Sequence, residues 1–257
     1  SLRASWAGRG GIGGRREPLR IRKRADYCSC RKMRKRVLGA AAREPAPPGI
    51  IGHPSVGRNA RRGKKPPGET LLNRSLHHSV MDRLPDDHKR GRPDIANICL
   101  LEAQGSPLNR EGRLATWIHT YGGYTIEVTP SARLPRDCNR FNSLMEQLFV
   151  HKVVPPDGKE PLMKLAQQGL EPLKSEIAPS LTVALTSHGE PSDLETLASR
   201  LASEDAPAVF IGAFPHGSMS EETLALADEA ISIHPAPLEA WVVTSRLIYE
   251  YEKASSG

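Results

Sequence analysis

The sequence predicts an α/β fold built on a mainly parallel sheet flanked by helices. Two observations predict it. In the last third of the chain, strand-like apolar runs alternate with amphipathic stretches of helical period, and such alternation builds parallel sheets. Upstream, two strand-like runs flank Tyr121-Gly122-Gly123, the composition of a hairpin turn.

In chain order, residues 45–70 are rich in Pro and Gly and read as a loop with one short helix and a basic run, Arg61-Arg62-Gly63-Lys64-Lys65. Leu71–Met81 precedes a polar stretch, Asp82–Arg92. Pro93 is suited to the first position of a helix. Ile95, Ile98, Cys99 and Leu101 follow at helical spacing until Gly105 stops it. Leu114–Thr120 and Tyr124–Thr129 are the hairpin strands. Asp137 can cap a helix whose apolar face is Phe141, Leu144, Met145 and Leu148. Then come strand Leu181–Leu185, helix Asp193–Ala202, strand Ala208–Ala213, helix Glu221–Ala230, strand Ile231–Ile233 and a final helix, Pro237–Lys253. Ligands of parallel sheets bind outside the carboxyl ends of the strands, here the loops after Leu185, Ala213 and Ile233.

Composition excludes several classes. The 257 residues carry 36 basic and 29 acidic side chains, a net +7, unevenly spread. Residues 1–33 hold ten basic and two acidic side chains, residues 34–94 hold 14 and six, and residues 95–257 hold 12 and 21. A basic front and an acidic back suggest a polyanionic partner for the front, most simply nucleic acid. No run approaches the roughly 20 apolar residues of a membrane span, and no apolar stretch of secretory length follows the basic N-terminus, so neither membrane nor signal peptide is expected. Cys28 and Cys30 are too close to pair easily, while Cys99 and Cys138 sit singly in apolar surroundings, as buried thiols do in a reducing compartment. Residues 1–33, rich in Gly and Arg without apolar period, are expected to be disordered. Their Gly8, Gly10 and Gly13 form a G-x-G-x-x-G lacking the strand and helix that a nucleotide loop needs. Met33 is a candidate biological start, with the preceding segment an over-extended reading frame.

Four groups could carry chemistry. In Arg133-Leu134-Pro135-Arg136-Asp137-Cys138-Asn139-Arg140-Phe141, a helix beginning near Arg136 puts Arg136 and Arg140 on one face with Arg133 at its approach, an anion receptor. On spacing alone a solvated charged face is the better reading. In Arg90-Gly91-Arg92-Pro93-Asp94, Asp94 falls in a first helical turn. It either serves the helix dipole, pairs with an arginine or accepts a proton. Gly212-Ala213-Phe214-Pro215-His216-Gly217 lets a backbone approach a ligand or simply makes a tight turn. Ile231-Ser232-Ile233-His234-Pro235-Ala236-Pro237-Leu238 is a loop between strand and helix. His53, His77, His78 and His88 follow no zinc spacing, so structural or RNA-facing roles are expected and no metal. No phosphate-binding loop, nucleophile elbow or zinc-protease motif is present in the sequence.

In order, these signals resemble one family. They begin with Gly52-His53-Pro54-Ser55-Val56, Arg61-Arg62-Gly63-Lys64-Lys65-Pro66, Arg74-Ser75-Leu76-His77-His78, Arg90-Gly91-Arg92-Pro93-Asp94-Ile95 and Ser106-Pro107-Leu108-Asn109. They continue with Ile118-His119-Thr120, Ile126-Glu127-Val128, Arg133-Leu134-Pro135-Arg136, Arg140-Phe141 and Gly212–Gly217. Over residues 34–253 the chain resembles the archaeal branch of the ribosome-biogenesis pseudouridine N1-methyltransferases, in the SPOUT trefoil-knot superfamily. The resemblance implies one domain over 34–257, with RNA-binding elements in 52–140 and a knot binding S-adenosyl-L-methionine in about 181–253. It implies a cytoplasmic homodimer, with the cofactor surrounded by Leu185, Gly212, Gly217, Ser218, Met219 and the stretch Ile233, His234, Pro235, Ala236, Pro237 and Leu238. Arg92, Arg133, Arg136 and Arg140 would bind small-subunit ribosomal RNA. Arg92 and Asp94 would be catalytic, Asp94 orienting Arg92 or Arg136, or else acting as base. The product would be a methyl group on N1 of a pseudouridine. A non-enzymatic RNA-binding assembly factor and a methyltransferase of the same fold with another target are the alternatives. The sequence departs from the family in its extension before Met33, in Gly39 and Arg43, which interrupt the first strand, and in His188-Gly189-Glu190-Pro191.

Overall fold

The structure, a computed structural model, describes residues 35–41, 44–158 and 160–255. The expected disorder of residues 1–33, the start at Met33 and the interruption at Arg43 lie outside the described residues. The chain begins with strand β1 (Lys35–Ala41) and continues through helix α1 (Pro54–Arg62), a 3₁₀ turn at Pro67–Glu69 and α2 (Arg74–Met81). After a second 3₁₀ turn at Asp87–Lys89 come α3 (Pro93–Gly105), α4 (Pro107–Arg110), β2 (Leu114–Thr120), β3 (Thr125–Val128) and α5 (Cys138–His151). Next are β4 (Val153–Val154), β5 (Met163–Ala166), α6 (Leu170–Ile177), β6 (Leu181–Pro191) and α7 (Leu194–Ser203). The order ends with β7 (Pro207–Ala213), α8 (Glu221–Ala225), β8 (Glu229–Ser232) and α9 (Ala240–Ser255).

The strands form one sheet in the order β4-β5-β3-β2-β1-β7-β6-β8. β1 is parallel to both β2 and β7, and β6 is parallel to both β7 and β8. The other half, β2-β3-β5-β4, is antiparallel. Gly39 does not interrupt the pairing of β1, since its Cα sits in register with Ile118 on one side and Ile211 on the other.

Alternation along the parallel strands divides the core between the two faces. Val183, Leu185, Val209 and Ile211 join Ile95, Leu100, Phe141, Leu197, Leu247 and Tyr251 in the larger cluster, which takes in α3, α5, α7 and α9. The intervening Ala184 and Phe210 pack with Leu170, Leu173 and Ile177 of α6. Helix starts follow local chemistry. Asp137 accepts from the Arg140 N–H at 2.9 Å, and Asp193 from the Thr196 N–H at 2.8 Å. In α5 the buried Phe141, Met145 and Leu148 recur at helical spacing, each contributing about 1.5–3 kcal/mol.

Several boundaries differ from expectation. Helix α5 starts at Cys138, because the Asp137 side chain fixes the cap there, so Arg136 lies before the helix and does not share its face with Arg140. Helix α8 stops at Ala225 and does not reach Ala230. Asp228 accepts from the Thr182 N–H at 2.6 Å, and residues Glu229–Ser232 become β8. β6 runs past Leu185 to Pro191 through a register shift, and a Cβ on Gly189 would come within 2.5 Å of the Ile231 nitrogen. Cys99 and Cys138 are only half-buried.

Two buried polar groups tie the segment 44–92 together. The Glu44 carboxylate accepts from Arg90, whose guanidinium lies 4.5 Å from the centre of the Tyr121 ring. Burial pushes the Glu44 carboxyl up, and Arg90 pulls it partly back. His77 is fully buried; its Nδ1 accepts from the Asn73 N–H at 3.1 Å. The Asn59 amide nitrogen lies 3.1 Å from the other ring nitrogen, Nε2, so both nitrogens of the ring have a partner. Burial first, and Lys65 second, hold the His77 pKa below 6.5. A depressed folded-state pKa means that the unfolded chain binds the proton more readily. This stabilisation is present above about pH 6.5 and is lost as pH falls toward the lower folded value. Thermal midpoints at pH 7.5 and 5.5 should show the loss. His77→Gln should start less stable and decline less steeply; parallel declines in the two proteins would contradict this role.

Candidate active site

The carboxyl ends of β6, β7 and β8 open into a cavity of about 590 Å³. Leu185 lines it from β6, while Gly212, Gly217, Ser218 and Met219 come from the end of β7 and its loop. Ile233, His234, Ala236, Pro237 and Leu238 come from the loop after β8. Of the residues expected around a cofactor, only Pro235 does not line it. Two glycines shape it. Gly217 has φ +95°, a backbone that side chains rarely adopt. A Cβ on Gly212 would meet the Phe214 ring at 2.8 Å, so glycine lets that ring close over the strand end as a wall.

Sequence reasoning missed part of the lining. Thr186, Ser187 and His188 enter because β6 is longer than its apolar run, and Glu239, Ala240 and Val243 because α9 starts later than expected. Ile95 reaches in from α3. The signal available for Glu239 was its place directly after the expected Ile233–Leu238 stretch.

A second cavity, about 550 Å³, is lined by Asn73, Arg74, Ser75, His78, Arg92, Pro93, Asp94 and Cys138. Arg92 is the residue capping α3, and Asp94 lies in that helix's first turn. The Asp94 carboxylate accepts from Arg92 Nη2 at 2.6 Å and from Nε at 2.9 and 3.1 Å, a fork that fixes the guanidinium plane. Asp94 holds the Arg92 guanidinium above its ordinary pKa, and the charge of Glu239 adds to this. Arg92 thus lies in the field of a residue from the first cavity.

Arg133, Arg136 and Arg140 do not line either cavity. All three are exposed at the approach to and first turn of α5, next to Cys138, and their guanidinium groups make no ion pair among the described residues. His53 caps α1 by accepting from the Ser55 N–H, His77 is bonded on both nitrogens, and His78 faces the Arg92 cavity. Among the described residues no group of three His, Cys, Asp or Glu is placed to hold a metal, and no helix is long and apolar enough to cross a membrane.

The whole arrangement matches a solved structure. The crystal structure of Archaeoglobus fulgidus Nep1 bound to S-adenosylhomocysteine superposes with a TM-score of 0.77 at 35% identity, covering 88% of this chain and 100% of that one. Fold and cavity together define a SPOUT-type methyltransferase. The ribosomal RNA small subunit methyltransferase Nep1 of Staphylothermus marinus is 44% identical over 212 residues, 82% of this chain and 92% of that protein. The corresponding protein of Pyrococcus furiosus is 39% identical over 223 residues, 86% and 98% of the two chains. The family model described as EMG1/NEP1 methyltransferase matches residues 37–252, and the chain belongs to that family.

Proposed function

We propose that this protein methylates small-subunit ribosomal RNA with S-adenosyl-L-methionine as donor, and that its target atom is ring nitrogen N1 of a pseudouridine. The observation that carries the reading is the cavity at the strand ends, set beside the Arg92–Asp94 pair in a chain 35% identical to a Nep1 with S-adenosylhomocysteine bound. The cavity fits such a donor. Its volume is that of a small-molecule site, Leu185, Met219 and Val243 offer apolar surface for a ring, and Thr186, Ser187 and Ser218 offer hydroxyls.

When bound, the donor supplies an electrophilic methyl carbon. The protein's own residues then have three tasks. Gly212, Phe214 and Gly217 shape the wall that holds the donor in one pose, since methyl transfer is a positioning problem. Arg92, locked by Asp94, presents a fixed cation to the nucleotide. The fork of hydrogen bonds supports an orienting role for Asp94 over a base, because its oxygens are already engaged by Arg92. Arg133, Arg136 and Arg140 contact phosphates of an RNA whose target base leaves its stack, since N1 is not reachable in a paired helix. The same proposal includes a homodimer, a cytoplasmic site of action, a single domain over 34–257, RNA-binding elements in 52–140 and a C-terminal knot in about 181–253.

The deciding experiment incubates the protein with labelled donor and short RNAs carrying pseudouridine or uridine at one position, read by mass spectrometry. Methyl groups should appear only on pseudouridine; methylation of uridine, or of neither, would overturn the N1 reading. Arg140→Ala should weaken RNA binding and flatten its salt dependence by roughly 0.7–0.9 log unit per log unit of salt, leaving donor affinity unchanged. An unchanged slope removes Arg140 from the RNA contacts.

A further inference from the structure

We propose that Glu239 is the side chain by which the cavity distinguishes the positively charged methyl donor from the neutral product left after transfer. The inference rests on the donor reading given above. Among the described residues lining the cavity, Glu239 is the only acidic side chain and none is Lys or Arg. Its backbone is fixed, because its carbonyl accepts from the Val242 and Val243 N–H groups in the first turn of α9. Its side chain is exposed and held by no ion pair of the described residues. Its charge is also felt by Arg92, which lines the second cavity. A negative charge thus lines the proposed place for the donor and acts on Arg92 of the second cavity.

The chemistry gives that charge something to read. Transfer forms a carbon–nitrogen bond at N1 and breaks the carbon–sulfur bond; the bonding pair stays on sulfur, and the N1 proton leaves to water. Before the step the ligand carries a sulfonium cation; afterwards the sulfur is neutral. Donor and product differ otherwise by one methyl group, which shape alone discriminates weakly. A carboxylate attracts the sulfonium charge that only the donor carries, so Glu239 favours loading of donor over retention of product. Once the sulfonium charge is gone, the field of Glu239 still acts on Arg92.

Calorimetric titration of S-adenosylmethionine and, separately, S-adenosylhomocysteine into the full chain at low salt tests this. Glu239→Gln should weaken the donor about 3- to 5-fold and the product less than about 2-fold, as expected for a solvent-exposed charge. Glu239→Lys should change the ratio further in the same direction, and about 0.5 M salt should erase most of it. Retained product binding shows that the variants are folded. Equal shifts for both ligands, or no shift for either, would overturn the inference. If the unaltered protein binds neither ligand, the donor reading itself fails.

Discussion

Arg92→Ala is expected to lower kcat/KM for methyl transfer by about 100-fold or more while donor affinity stays within about two-fold. Arg92 lies on the second cavity and does not line the one at the strand ends, so on the proposed reading its loss should spare donor binding. What it removes is a cation held in one plane by three contacts to Asp94. Losing one preorganised group of this kind typically costs 10²–10³ in rate. Arg92→Lys should recover little, because an ammonium cannot reproduce the fork to a carboxylate. Asp94→Asn separates the two roles of Asp94. An orienting residue gives a reduced rate with the pH profile of the unaltered protein, whereas a base gives a profile that loses its acidic limb. Initial rates on pseudouridine RNA, with calorimetry for the donor, supply the readouts. A rate loss below about five-fold for Arg92→Ala would remove it from the chemistry.

Glu44→Leu is expected to destabilise the fold by about 3–5 kcal/mol in denaturant titrations, the usual loss when one partner of a buried ion pair is removed. Arg90 is only 5% exposed, and among the described residues its Nε has no hydrogen-bond partner and Glu44 is the one anion paired with it. The Tyr121 ring supports it from one face only. Replacing both residues, Glu44→Leu with Arg90→Met, should restore much of the loss, since two apolar side chains leave no buried charge. Strictly additive losses in the double variant would show that the pair is not coupled.

Local chemistry made much of this legible. Pro93 and Asp137 announced their helices, and the apolar faces of α5 and α7 are buried as their spacing required. Strand β2 and the strand-end loops around the cavity lie where the sequence pointed. What remained hidden depends on distant partners. The two-residue β4 and four-residue β5 carry too little pattern to stand out, and they are strands because each pairs with a neighbour. The stretch after Ala225 has helical composition, but Asp228 bonds to Thr182 and the backbone beyond it pairs with β6. The four-residue spacing of Arg136 and Arg140 suggested a shared helical face, but the Asp137 carboxylate accepts from the Arg140 N–H and starts the helix after Arg136. Glu239 follows directly on the expected Ile233–Leu238 stretch, but a single carboxylate carries no pattern, and its place on the cavity appears only in the fold.

The place of β1 in the sheet has a consequence for how the molecule is made. It lies at the centre, between β2 and β7, yet it is the earliest strand described in the chain. During synthesis its first neighbour arrives with Leu114–Thr120, and its other edge stays open until Pro207–Ala213 has been translated. The antiparallel strands from Leu114 to Ala166 can pair among themselves long before that. Until then β1 can pair on one side only, and the strand that fills its other side carries Gly212 of the cavity wall near its end. Closure of the protein's centre therefore precedes closure of the cavity, whose remaining wall comes from the residues after β8.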